Sequence, residues 1–101
     1  MKTLHYRVVY KNGIKTHIAD FKRSEYGEFT FEYVVNDPKY EFPGFDISNK
    51  KYSSNVLWEQ IAFRVPNETR YDHPDVPLEE LLRQTNGRLV TDHFEFQILQ
   101  G

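Results

Sequence analysis

The sequence predicts an α+β fold, a small antiparallel, partly closed β-sheet or barrel with two short helices, over residues 1–101 as a single domain. Three observations predict it. Apolar and aromatic residues alternate with polar ones near both ends of the chain, which is the period of half-buried strands. Two stretches in the second half change to helical spacing. Between these patterns lies a loop broken by Pro38, Pro43 and Gly44. Eight Phe, seven Tyr and one Trp supply the core, since each ring buries about 150–250 Å². Size scaling leaves about 6,000 Å² exposed of about 17,500 Å² for the open chain, enough burial for one real core.

Residues 4–21 read as a hairpin around Asn12-Gly13. A two-residue turn would oppose Tyr10 with Lys15 and Tyr6 with Ala19, mixing polar and apolar groups. A three-residue loop with left-handed Gly13 instead opposes Tyr10 with Ile14, Val8 with Thr16 and Tyr6 with Ile18. The second register gathers the apolar side chains on one face and is preferred. A third strand follows at residues 27–35, with Phe29, Phe31, Tyr33 and Val35 alternating against Glu28, Thr30 and Glu32. These strands make an antiparallel meander with one aromatic face. Residues 36–46 form a loop that Phe42, Phe45 and Ile47 pin down.

A helix is expected from Ser53 or Ser54, either a good N-cap, to Pro66. At about 100° per residue, Leu57, Trp58, Ile61, Ala62 and Val65 share one face. Val56 and Phe63 fall on nearly the opposite side. Either the helix is wedged between sheet and loop so that both stripes are core, or one stripe is a docking surface with Trp58 or Phe63 as anchor. On the second reading the partner-binding residues are Val56, Trp58, Phe63, Arg64, Arg70 and Tyr71. A shorter helix over about residues 76–84 follows, with Asp75 as cap, Pro77 in its first turn and a stripe of Leu78, Leu81 and Leu82. Gly87 is placed to end it. Residues 93–99 close as a strand with Phe94, Phe96 and Ile98 on one face.

The rest of the chemistry is sparse. The absence of Cys removes disulfides and thiolate catalysis. A net charge of −2 and a pI near 6.1 give no field to attract phosphate backbones. The basic pairs Lys22-Arg23 and Lys50-Lys51 read as solvated loop charges. Asp72, His73 and Asp75 lie close together, but a Pro-containing turn and a helix cap explain them better than a metal site. Asp92 and Glu95 read as a solvated strand edge. No catalytic, cofactor-binding or metal residues are assigned, and the chain reads as a non-enzyme. Mean hydropathy is −0.71, and no apolar run nears the about 20 residues of a membrane span. Residues 1–10 read as a strand, not a signal peptide. The expected location is the cytoplasm.

Two segments resemble the N-terminal subdomain of HipA-type proteins. In the first, Leu57, Trp58, Ala62, Arg64, Val65 and Pro66 match a leucine-aromatic pair opening a helix that closes on a basic residue, an aliphatic residue and Pro; Arg70 fits a later basic position. In the second, Leu81, Leu82, Gly87, Arg88, Thr91, Asp92, Phe94 and Glu95 match the short helix, Gly-Arg turn and closing strand. Glu59, Gln60 and Ile61 depart from the aromatic or Pro residues common in the family. The resemblance covers nearly the whole chain and none of a kinase core. A stand-alone copy of this subdomain is similar to the small third component of tripartite HipBST toxin–antitoxin systems. It implies a protein that binds and restrains a separate HipA-like serine/threonine kinase, while a helix-turn-helix partner reached through the complex handles DNA. The resemblance thus implies no cofactor, no direct nucleic-acid contact and no membrane. The competing reading is a small nucleic-acid-binding β-rich module, and an unassigned small enzyme resting on residues 71–75 is a third.

Overall fold

The structure, a computed structural model, describes residues 2–101. Five antiparallel strands form one open sheet: β1 (Leu4–Asn12), β2 (Ile14–Arg23), β3 (Phe29–Tyr33), β4 (Lys51–Ser54) and β5 (Phe94–Gln100). Their spatial order is β4-β3-β2-β1-β5. The outer strands β4 and β5 are not paired with each other, so the sheet is not closed. Three short helices, α1 (Glu59–Ala62), α2 (Asn67–Asp72) and α3 (Leu78–Thr85), fill the segment between β4 and β5. The exposed surface is 6266 Å², close to the size-scaled expectation for one packed core.

The aromatic alternation does form one core face. Leu4, Tyr6 and Val8 of β1, Phe21 of β2, Phe29, Phe31 and Tyr33 of β3 and Phe94 and Phe96 of β5 are all buried. Ile61 and Val65 near α1, with Leu81 and Leu82 of α3, pack onto them. The long loop joins the same core. Phe45 stacks on Phe31 with centroids 4.2 Å apart. The Tyr33 hydroxyl accepts the Phe42 N–H and donates to the Phe45 carbonyl, which satisfies backbone groups that burial would otherwise leave unpaired. The opposite face of the sheet carries exposed Arg7, Lys22, Glu32 and Lys51, the polar side expected of an antiparallel sheet covered on one face.

Neither hairpin register weighed from the sequence is the one observed. Tyr10 pairs with Thr16 and Lys11 with Lys15, while beyond an irregularity at Val8/Val9 the pairs become Val8 with Ala19 and Tyr6 with Phe21. Ile18 is the extra residue of a β-bulge, which lets two successive side chains, Ile18 and Ala19, both be buried. The same bulge moves the inward parity of β2 from even to odd positions and brings Phe21 under Tyr6. A second irregularity lies between His5 and Tyr6 in the pairing with β5. Ile98 there is 39% exposed rather than part of the core.

Helix boundaries also differ. Residues 51–54 are the edge strand β4, paired with β3, not a helix start. The Ser54 hydroxyl accepts the Val56 N–H and donates to the Val56 carbonyl, so its capping chemistry makes a local turn instead. α1 begins only at Glu59, without a side-chain cap. Pro66 does end that region, and it is also the N-cap residue of α2, a helix absent from the sequence reading. α3 starts at Leu78 with no cap bond from Asp75. Its end is left-handed at Asn86 (φ 57°) and at Gly87 (φ 59°), as a Gly terminus requires.

Several charged residues expected in solvent are interior. Arg23 is 3% exposed and donates to Glu79, Glu80 and the Lys2 carbonyl. It ties the end of β2 to α3. Glu95 is buried on the polar face of the sheet beside Val9, with the Lys11 ammonium 3.9 Å away. Asp92 is the partner of Arg64, described below.

Candidate partner-binding surface

The segment from β4 to α3 holds all six residues assigned to partner binding, and the fold divides them into two groups. Arg64 lies inside. It is 1% exposed, and its guanidinium donates to the Asp92 carboxylate and to the carbonyls of Gly87 and Phe94. Its plane sits over the Phe42 ring at 4.6 Å, a favourable place for a desolvated guanidinium. A group so enclosed cannot touch a partner while the domain stays folded. Arg70 is also turned inward. It donates to the carbonyls of Ala62, which also accepts the Val65 N–H, and of Val65, tying α2 back to the end of α1.

Trp58 is half-buried. Its ring meets Phe45 edge-on at 4.9 Å and Phe21 at 6.5 Å, so it joins the sheet to the long loop. The remaining three residues face solvent: Val56 is 73% exposed, Phe63 69% and Tyr71 85%. The apolar groups of this segment therefore separate. Ile61 and Val65 are core, with Leu57, Trp58 and Ala62 partly buried, while Val56 and Phe63 are outside. Phe63 follows Ala62 and Tyr71 follows Arg70, and the Arg70–Ala62 hydrogen bond holds these two exposed rings on the same pair of helices. Single exposed apolar residues are common. Val56, Phe63 and Tyr71 are three exposed apolar side chains within sixteen residues of chain, a local concentration on the segment that also carries α1 and α2.

Among the described residues, the chemically capable side chains elsewhere are exposed singly or already engaged. Asp72, His73 and Asp75 are exposed, and among the described residues no set of three or more His, Cys, Asp or Glu is arranged to hold a metal ion. A cleft of about 280 Å³ beside α3 is lined by Lys2, Arg23, Glu80 and Arg83. Its arginines are already engaged, Arg23 as above and Arg83 with the Gly101 carbonyl. On the polar face of the sheet, Asp20 accepts hydrogen bonds from His5 at 2.9 Å and His17 at 3.2 Å. Burial raises the Asp20 pKa, but these bonds and the nearby His17 outweigh it and hold the carboxyl below its usual value. Among the described residues no helix is long and apolar enough to cross a membrane.

The two segments that carry the HipA resemblance meet in space. Arg64 of the first binds Asp92, Gly87 and Phe94 of the second. From the sequence, Arg64 is placed on the docking surface because it begins the stretch that follows the helix carrying Trp58 and Phe63. Its partner lies 28 positions away, beyond any local pattern. In comparisons with protein-family models, curated proteins and solved structures, nothing matches this chain.

Proposed function

We propose that this chain is a non-catalytic binding module of the HipA N-terminal subdomain type, which docks on a separate HipA-like serine/threonine kinase and restrains it. In that role it is the antitoxin component of a tripartite toxin–antitoxin system. The observation that carries the reading is the exposure of Val56, Phe63 and Tyr71 in a segment where Ile61 and Val65 are committed to the core. Aromatic side chains so presented are the usual anchors of protein interfaces. The clasp of Arg64 on Asp92 adds support, because it joins the two resembling segments into one structural unit. A subdomain of this kind packs on its neighbour through a surface that can be reused between separate chains. Restraint requires only that the module prefer one kinase conformation, and inhibition is bounded by that preference.

The test is a phosphate-transfer assay with a purified HipA-like kinase core of a tripartite system, titrated with this protein. One-to-one binding and falling autophosphorylation are expected. A kinase that neither binds the protein at micromolar concentration nor changes its rate would refute the reading.

A further inference from the structure

The docking surface has a charge pattern of its own. Residues 55–77 contain two arginines and no lysine, and both arginines point inward, Arg64 to Asp92 and Arg70 to the Ala62 and Val65 carbonyls. The other charged side chains of the segment are Glu59, Glu68, Asp72 and Asp75, and all four are exposed. Within this segment the exposed rings of Phe63 and Tyr71 are thus accompanied by four carboxylates and by His73, with no exposed Arg or Lys. On α3, which packs against α1 and α2, Glu80 is paired with Arg23, while Arg83 is exposed and donates to the Gly101 carbonyl at the other end of the chain.

Helix stability accounts for only half of these carboxylates. Glu59 and Glu68 lie in first helical turns, where the helix dipole favours them. Asp72 ends α2, where the same dipole disfavours a carboxylate, and Asp75 makes no cap bond to α3. Glu68 and Asp72 also stand four apart on α2, a mildly repulsive pairing. Two acids are therefore kept at positions where local structure gains nothing from them.

We infer that this surface is matched to a basic partner: an apolar groove on the kinase, rimmed by Lys or Arg, that takes up Phe63 and Tyr71 while the rim faces the four carboxylates. The inference rests on the proposed function and deepens it by naming the chemistry of the partner surface. Complementary rim charges act mainly on encounter, whereas desolvated aromatic anchors act mainly on dissociation.

The test compares association rates of the HipA-like kinase core with the parent protein, with D72N/D75N and with E28Q/E32Q, at low and high salt. The control pair removes the same charge from β3 and the turn before it. D72N/D75N is expected to associate about 3–10-fold more slowly at low salt, with a flatter salt dependence and a thermal midpoint no lower than the parent's. E28Q/E32Q is expected to match the parent. If D72N/D75N associates as fast as the parent with the same salt dependence, the basic-groove inference is overturned and kinase binding still stands. If the parent itself fails to bind the kinase, both fall.

Discussion

Arg64→Ala removes a side chain that hydrogen-bonds the α1 turn to the Gly87 turn and the start of β5. The guanidinium donates to Asp92, Gly87 and Phe94 and covers the Phe42 ring. Truncation leaves two buried carbonyls without this donor and the Asp92 carboxylate with only the Phe94 N–H. Breaking a buried ion pair by removing one partner costs about 3–5 kcal/mol. The Asp92 side chain is 19% exposed, so water relieves part of its loss, and the lower end of about 3 kcal/mol applies. A chain of this size has a total stability of about 5–15 kcal/mol. At about 5 °C per kcal/mol the thermal midpoint falls by about 15 °C. Urea unfolding followed by Trp58 fluorescence measures the difference directly. Arg64→Lys keeps the charge but loses the planar fork and the ring contact, and its loss should be smaller. R64M/D92N removes both charges and should recover part of the deficit of R64M alone. A loss below about 1 kcal/mol for Arg64→Ala, the range of ordinary surface changes, would refute the keystone role.

Gly87→Ala should cost about 1–3 kcal/mol, because φ is +59° and the new Cβ would lie 3.0 Å from the Phe96 ring; a neutral effect in urea unfolding would contradict that geometry. Asp20→Asn removes a carboxyl whose folded pKa is lowered. Its contribution is present above the ordinary value of 3.8 and fades as pH falls through the folded value. The parent should therefore be more stable than Asp20→Asn at neutral pH and converge with it in acid, as thermal midpoints against pH will show. Burial pushes Tyr6 and Tyr33 up to about 12, so stability should fall as pH rises from 10 towards 12. Ultraviolet titration should show these two ionising together with alkaline unfolding.

Strands β1, β3 and β5 were legible because aromatic alternation and one-sided burial enforce each other. The bulge at Ile18 was not. Its signature, a parity change between Ile18 and Phe21, also fits a simple choice of hairpin register, and only pairing across strands resolves it. β4 escaped notice because a four-residue edge strand, Lys-Tyr-Ser-Ser, has no full alternation, and its serines carry a cap signal that Ser54 uses in a turn. α2 has six residues and no buried side chain, so no apolar stripe announces it. At the candidate surface, helical spacing placed Val56 and Phe63 apart from the core stripe, and both are exposed. Arg64, Arg70 and Arg23 were misread for a common reason. Arg64 and Arg23 bind carboxylates 28 and 56 positions away, while Arg70 turns back onto backbone carbonyls five and eight residues before it, and neither destination shows in side-chain pattern.

The most direct measurement of the surface is calorimetric titration of the HipA-like kinase core with the parent and with F63A/Y71A. These positions are exposed, so the thermal midpoint should be unchanged within the equivalent of about 0.5 kcal/mol. Loss of two anchors should weaken binding at least about tenfold, or 1.4 kcal/mol. Parent and variant binding with equal affinity, both folded, would contradict the assignment of this face.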